Sequence, residues 1–169
     1  MADYIPSADG RPSETTRHFV ATVYVVNDGA TALHYHDRLG MWLPPGGHLE
    51  RDELPTSAAA REVREELGLE VELVGPSGDL HTGTVSSLPR PQHFLLEDIH
   101  DHADGTVGHQ HVDFVYYGTV QSREIRPADG EQDAGDWRWL TAADVDSRTD
   151  LERDVQSIAR AAIDAVDTA

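Results

Sequence analysis

Cysteine and lysine are both missing from this 169-residue chain. Without cysteine there is no disulfide, no thiolate nucleophile and no thiolate metal site. Any metal ion must be held by oxygen or by imidazole nitrogen. Without lysine, all 13 basic residues are arginine, set against 31 acidic ones for a formal net charge of −18. So acidic a chain is a poor partner for DNA or RNA and for an anionic membrane, both of which favour cationic surfaces. Long apolar runs are lacking as well. Nothing approaches the roughly 18 residues that span a bilayer, and residues 1–16 carry no basic-then-apolar leader. They read as a flexible polar tail ahead of one domain over 17–169. The expected compartment is the cytoplasm, and the expected state a monomer or homodimer.

The acidity serves solubility, and self-repulsion on this scale is tolerable where counterions screen it. In this respect the composition resembles that of proteins from salt-accumulating, halophilic archaea.

Residues 18–26, HFVATVYVV, are β-branched and aromatic and predict a strand. Asn27, Asp28 and Gly29 supply turn chemistry leading to a second strand over 30–36. Met41 to Leu43 is a short apolar piece halted by Pro44, Pro45, Gly46 and Gly47, which predict a rigid turn. A helix is predicted over 55–67, with Pro55 suited to its first position and Gly68 to the residue after its end. Further strands are expected near 69–75, 92–99, 111–120 and 136–140, with a polar hairpin loop over 100–111. A last helix over 150–166 would place Leu151, Val155, Ile158, Ala162 and Val166 on one face. Strands with one central and one C-terminal helix imply an α/β fold whose mixed sheet is covered on both faces.

The central helix carries the chemistry. At 100° per residue, Glu62, Glu65 and Glu66 fall within about 100° of arc, beside an apolar face of Ala59, Ala60, Val63 and Leu67. Like charges at these spacings destabilise a helix by a few tenths of a kcal/mol per pair. A hard divalent cation reverses that sign, because Mg²⁺ takes carboxylate oxygens and keeps water for a phosphate. On the helix alone, a solvated acidic face is an equal reading. The Pro-Pro-Gly-Gly segment beside the stripe tips the balance, since exposed backbone there can offer a carbonyl and admit a phosphate closely.

The segment Gly47 to Leu69 resembles the Nudix box at each defined position: Gly47, Glu53, Arg61, Glu62, Val63, Glu65, Glu66, Gly68 and Leu69. Nine matches over 23 residues make a specific signal. Trp42-Leu43-Pro44-Pro45 is similar to that family's lead-in strand. The stretch from Glu131 to Leu140, with Trp137 and Trp139, is similar to its late loop and strand. The resemblance implies a Nudix-type α/β/α sandwich with a mixed β-sheet. It implies Mg²⁺ or Mn²⁺ held by Glu62, Glu65, Glu66, Glu131 and the Gly46 carbonyl. It implies that Glu53 pairs with Arg61 to hold the loop against the helix. It also implies that Glu131 adds a metal ligand or acts as general base. Glu65, Glu66, Glu131, Arg61 and Glu53 would be the catalytic set. The activity implied is hydrolysis of a phosphoanhydride bond in a nucleoside diphosphate linked to another moiety. ADP-ribose, nucleoside triphosphates and sugar nucleotides are all open as substrates. A non-catalytic regulator that binds a nucleotide is the competing reading. The isoprenoid isomerase branch of the same fold is removed by the missing cysteine. In that family a Ser or Thr often caps the helix; here the position is Leu54, which cannot.

Ten histidines are present, four of them at 100, 102, 109 and 111. His109 and His111 alternate and so share a strand face. Two imidazoles fall short of a ligand set, and the stretch reads as a polar hairpin near substrate or solvent, where His111 or Asp113 could touch substrate.

Overall fold

A computed structural model describes residues 15–37 and 39–167. Of the tail expected over 1–16, residues 1–14 lie outside the described residues. Strand β1 (Thr16–Asn27) starts one residue ahead of the expected domain start and turns tightly into β2 (Ala30–His36). Both turn residues have positive φ, Asp28 at 46° and Gly29 at 72°. That is the twist-matched geometry of a two-residue hairpin loop. Strands β3 (Met41–Leu43) and β4 (Gly46–His48) lead to helix α1 (Pro55–Leu67). Then come β5 (Glu72–Val74), β6 (His93–Asp101), β7 (Val107–Thr119), β8 (Trp137–Thr141), α2 (Ala142–Ser147) and α3 (Arg153–Asp167).

The strands form one mixed sheet in the order β3-β2-β1-β7-β5, with β4 on β1, β6 on β7 and β8 on β2. β1 and β7 pair in parallel from Thr16 opposite His109 to Val26 opposite Thr119. Alternation along these two strands feeds two cores. Ala21, Val23, Val25 and Tyr116 pack with α1 residues Ala58, Ala59, Val63 and Leu67. Tyr24, Val26, Val115 and Tyr117 pack with α3 residues Val155, Ile158, Ala162 and Ile163. The result is an α/β/α sandwich. No helix among the described residues is long and apolar enough to cross a membrane.

Three local expectations are corrected. The Pro-Gly segment is not a free turn: Gly46 to His48 pair antiparallel with Thr22 to Val20 on β1. A Cβ on Gly46 would lie 2.7 Å from the Ala21 carbonyl oxygen and 2.9 Å from the Thr22 Cα, so glycine is what lets the strand lie this close. The loop expected over 100–111 shrinks to 102–106, because β6 and β7 extend their ladder through polar residues. Backbone pairing overrides side-chain polarity there. Helix α2 was not foreseen, although Thr141 and Asp144 form a reciprocal capping box at its start.

Candidate active site

The buried stripe of α1 fixes the helix's rotation, and that rotation turns Glu62 and Glu66 toward β4. A Cβ on Gly47 would strike the Glu62 carboxylate, with its Cδ at 2.7 Å. The Gly46 N–H donates to Glu66 Oε2 at 3.3 Å. One guanidinium organises the rest. Arg61 donates from Nε and Nη2 to the two Glu53 oxygens, each at 3.0 Å. Its Nη1 reaches Glu62 Oε1 at 2.8 Å and Glu65 Oε2 at 2.9 Å, and Nη2 also reaches the His48 carbonyl at 3.0 Å. Glu53 in turn accepts from the Glu50 N–H at 3.1 Å, which closes the loop between β4 and α1. As sequence spacing suggested, Leu54 provides no side-chain cap; Gly68, at φ 68°, ends the helix in the left-handed conformation.

The last turn of a helix leaves carbonyls without intrahelical partners, and here the segment after β7 supplies them. Arg126 N–H donates to the Leu67 carbonyl at 2.9 Å and Ala128 N–H to the Glu65 carbonyl at 2.7 Å. Docking the segment this way brings Glu131, exposed, close enough for its charge to act on both Glu62 and Glu66. Gly46, Glu53, Arg61, Glu62, Glu65, Glu66 and Glu131 thus occupy one neighbourhood: five carboxyls around a single guanidinium.

The electrostatics follow. Hydrogen bonds from Arg61 hold Glu53 below the usual carboxylate range. Burial pushes Glu62 up. Burial, followed by the charge of Glu62, pushes Glu66 up to about 8, and Arg61 makes no contact with it to offset this. The donor set suits a hard divalent cation: clustered carboxylate oxygens, backbone alongside, and a buried carboxyl without a cationic partner. A pH effect on stability follows. The unfolded chain holds Glu66 near 4.5, the folded chain near 8. Below the lower value both states keep the proton. Above it the unfolded state releases first, so stability of the cation-free protein falls as pH rises from about 4.5 to about 8. In EDTA the melting temperature should therefore drop between about pH 5 and about pH 8, and millimolar Mg²⁺ should recover part of the loss at the upper end. A flat profile in EDTA would refute this.

Acids outside the box are not all superficial. Asp113 on β7 is 2% exposed, pushed up to about 7 mainly by burial, with one carboxyl oxygen lacking a hydrogen-bond partner. Glu97 on β6 is also raised by burial. Alternation of Glu97 with Leu95 and of Asp113 with Val115 on paired strands was the available sequence signal. His109 and His111 do share a face, with ring centroids 5.1 Å apart. The fold adds His18 and His48 to them, at 4.7 Å from His109 and 4.9 Å from His111 respectively.

A family model described as the NUDIX domain matches residues 16–161. A solved hydrolase of the NUDIX family from Clostridium perfringens is 33% identical, with TM-score 0.77 over 89% of this chain and 99% of that one. A MutT-like protein of Streptomyces ambofaciens is 46% identical over 54 residues, 32% of this chain, and the match spans 35% of that protein's length. An ADP-ribose pyrophosphatase from Streptococcus suis, 16% identical, shares the fold with TM-score 0.54 over 89% of this chain and 92% of that one.

Proposed function

Because the chain belongs to the NUDIX hydrolase family, we propose that it is a Mg²⁺- or Mn²⁺-dependent enzyme that hydrolyses a phosphoanhydride bond in a nucleoside diphosphate linked to another group. The observation that carries this reading is the cation deficit beside Gly46 and Gly47, where Glu66 is buried with no positive partner. Glu62, Glu65, Glu66 and the Gly46 carbonyl would hold the ion, with Glu131 beside them. When bound, it neutralises diphosphate charge and makes a coordinated water more acidic.

The chain's own residues do the positioning. Glu53 clamps Arg61, and Arg61 holds Glu62 and Glu65 in place through Nη1. The Gly46 N–H fixes Glu66. Glu131, exposed on the docked loop, accepts the proton of the attacking water. The small-molecule substrate is a nucleotide; its polyanionic diphosphate reaches so acidic a surface only with the cation to offset repulsion.

The test is a phosphate-release screen over ADP-ribose, nucleoside triphosphates and sugar nucleotides with Mg²⁺ or Mn²⁺, at low and high KCl. Cation-dependent release from one class supports the proposal; tight nucleotide binding without any turnover would replace it with a regulator. For Glu131→Gln we expect kcat to fall by about 10²-fold, within the range of general acid–base effects, with KM moving much less. A raised KM with unchanged kcat would make Glu131 a substrate-binding residue instead. The relatives reported above do not support a halophilic archaeal source, so the salt response is expected from charge alone.

A further inference from the structure

We propose that His18, His48 and His109 form a second metal site, built for a borderline transition-metal ion such as Zn²⁺ or Ni²⁺ and separate from the carboxylate cluster. The three imidazoles come from three different strands, β1, β4 and β7, and each offers a ring nitrogen within 4.8 Å of the other two. The sheet places them on one face. His18 pairs with His111, two residues from His109, and Val20, two residues from His18, pairs with His48. Rings of His18 and His48 stand 5.1 Å apart, those of His18 and His109 4.7 Å.

A tetrahedral ion with bonds of about 2.1 Å spaces its ligand atoms by about 3.4 Å. All three ligand atoms lie within 4.8 Å of one another, so no pair need close by more than roughly 1.4 Å. His18 and His48 are exposed and can supply that by side-chain rotation. His109 is oriented by a second contact, between its Nδ1 and Thr16 Oγ1 at 3.0 Å, which leaves Nε2 for the ion. A carboxylate, carbonyl or water on the far ring nitrogen is the usual support of a ligating histidine, and the Thr16 hydroxyl oxygen can accept in the same way. His111, less exposed than His18 and His48, packs its ring against those of His48 and His109. A hollow lined by Arg17, His18, Phe19, His48, Leu49 and Glu53 opens beside the cluster and gives an ion and its remaining water ligand access.

Ligand chemistry separates this site from the other. All-imidazole sets favour Zn²⁺, Ni²⁺ or Cu²⁺, whereas Mg²⁺ takes oxygen. Occupancy has a structural consequence, because His48 directly follows Gly47 and its carbonyl accepts from Arg61. An ion here ties β4, the strand under the carboxylate cluster, to β1 and β7. The inference does not depend on the substrate or on catalysis.

The test uses the full chain, stripped with EDTA, dialysed and held in excess Mg²⁺. ZnCl₂ alone is titrated calorimetrically into the parent, into His18→Ala and His109→Ala, and into a Glu65→Gln/Glu66→Gln variant. We expect one Zn²⁺ per chain in the parent and in the carboxylate variant. Affinity should weaken by about tenfold or more in each histidine variant. Zn²⁺ should also raise the melting temperature of the parent more than that of the histidine variants. Co²⁺ in place of Zn²⁺ should give visible absorption bands that the histidine variants lose. The proposal is overturned if no stoichiometric Zn²⁺ binds, or if binding is unchanged in both histidine variants. It is equally overturned if binding disappears only with the carboxylates. Since His18 is exposed, its variant should fold, and a parallel circular-dichroism spectrum checks this; His48→Ala serves as an independent third substitution.

Discussion

Glu66→Gln is expected to lower turnover by about 10²-fold or more, and Glu65→Gln comparably, with the fold intact in both. The two differ in what they lose. Glu66 is buried, contacts the Gly46 N–H at 3.3 Å and has no arginine. Glutamine keeps its shape and can still accept from Gly46, so the substitution removes little besides the charge. In EDTA near pH 8 it should melt higher than the parent, because an amide carries no desolvated charge and no repulsion from Glu62. Glu65 is more open and is held by Arg61 at 2.9 Å. Its amide variant should melt at or slightly below the parent. Activity lost while stability is gained is the behaviour of a residue placed for binding a cation and not for holding the fold. Turnover and melting temperature, measured on the same preparations with and without Mg²⁺, decide it. Unchanged turnover in both variants would sink the catalytic assignment and leave a nucleotide-binding regulator.

Raising KCl from ~0.05 M to ~2 M is expected to lift the melting temperature by roughly 10 °C, as the Debye length shrinks to about 3 Å or less. The chain has 31 acids and 13 arginines, so even one-to-one pairing would leave 18 carboxylates without an arginine. Besides Arg61, four arginines among the described residues pair with acids close by. Arg64 binds Glu70, Arg126 binds Glu124, Arg148 binds Asp150, and Arg160 binds both Asp146 and Asp164. These pairs sit on the surface, where each contributes little. The remaining acids repel one another across the molecule at low salt. Activity should tolerate or require the higher salt. Buried Asp113 stands apart from this field, since ions in solution do not reach a 2%-exposed side chain. A melting temperature that stays flat or falls over this range would remove the electrostatic argument, and the carboxylate cluster would be unaffected.

What the sequence determined by itself was whatever is written in short-range order. The bounds of α1, 55–67, followed from Pro55, the apolar spacing and Gly68, because helix periodicity and caps act over a few residues. The β1–β2 hairpin followed from Asp28 and Gly29 for the same reason. The carboxylate stripe and its box spacing were legible because one helix carries three of the acids at fixed angles. Tertiary structure decided everything that needed partners from far along the chain. Glu131 was placed by backbone bonds from Arg126 and Ala128 to the end of α1, which no local pattern encodes. Gly46 to His48 became a strand only because β1 lay beside it. His109 gained His18 and His48 as neighbours because β1 and β7 pair in parallel across some ninety residues of chain, at a register set by burying alternate side chains on both sheet faces. The same register sank Asp113 and left one of its oxygens without a partner. Spacing along the chain fixes which residues share an element; which elements meet, and at what offset, is settled by the packing of two cores at once.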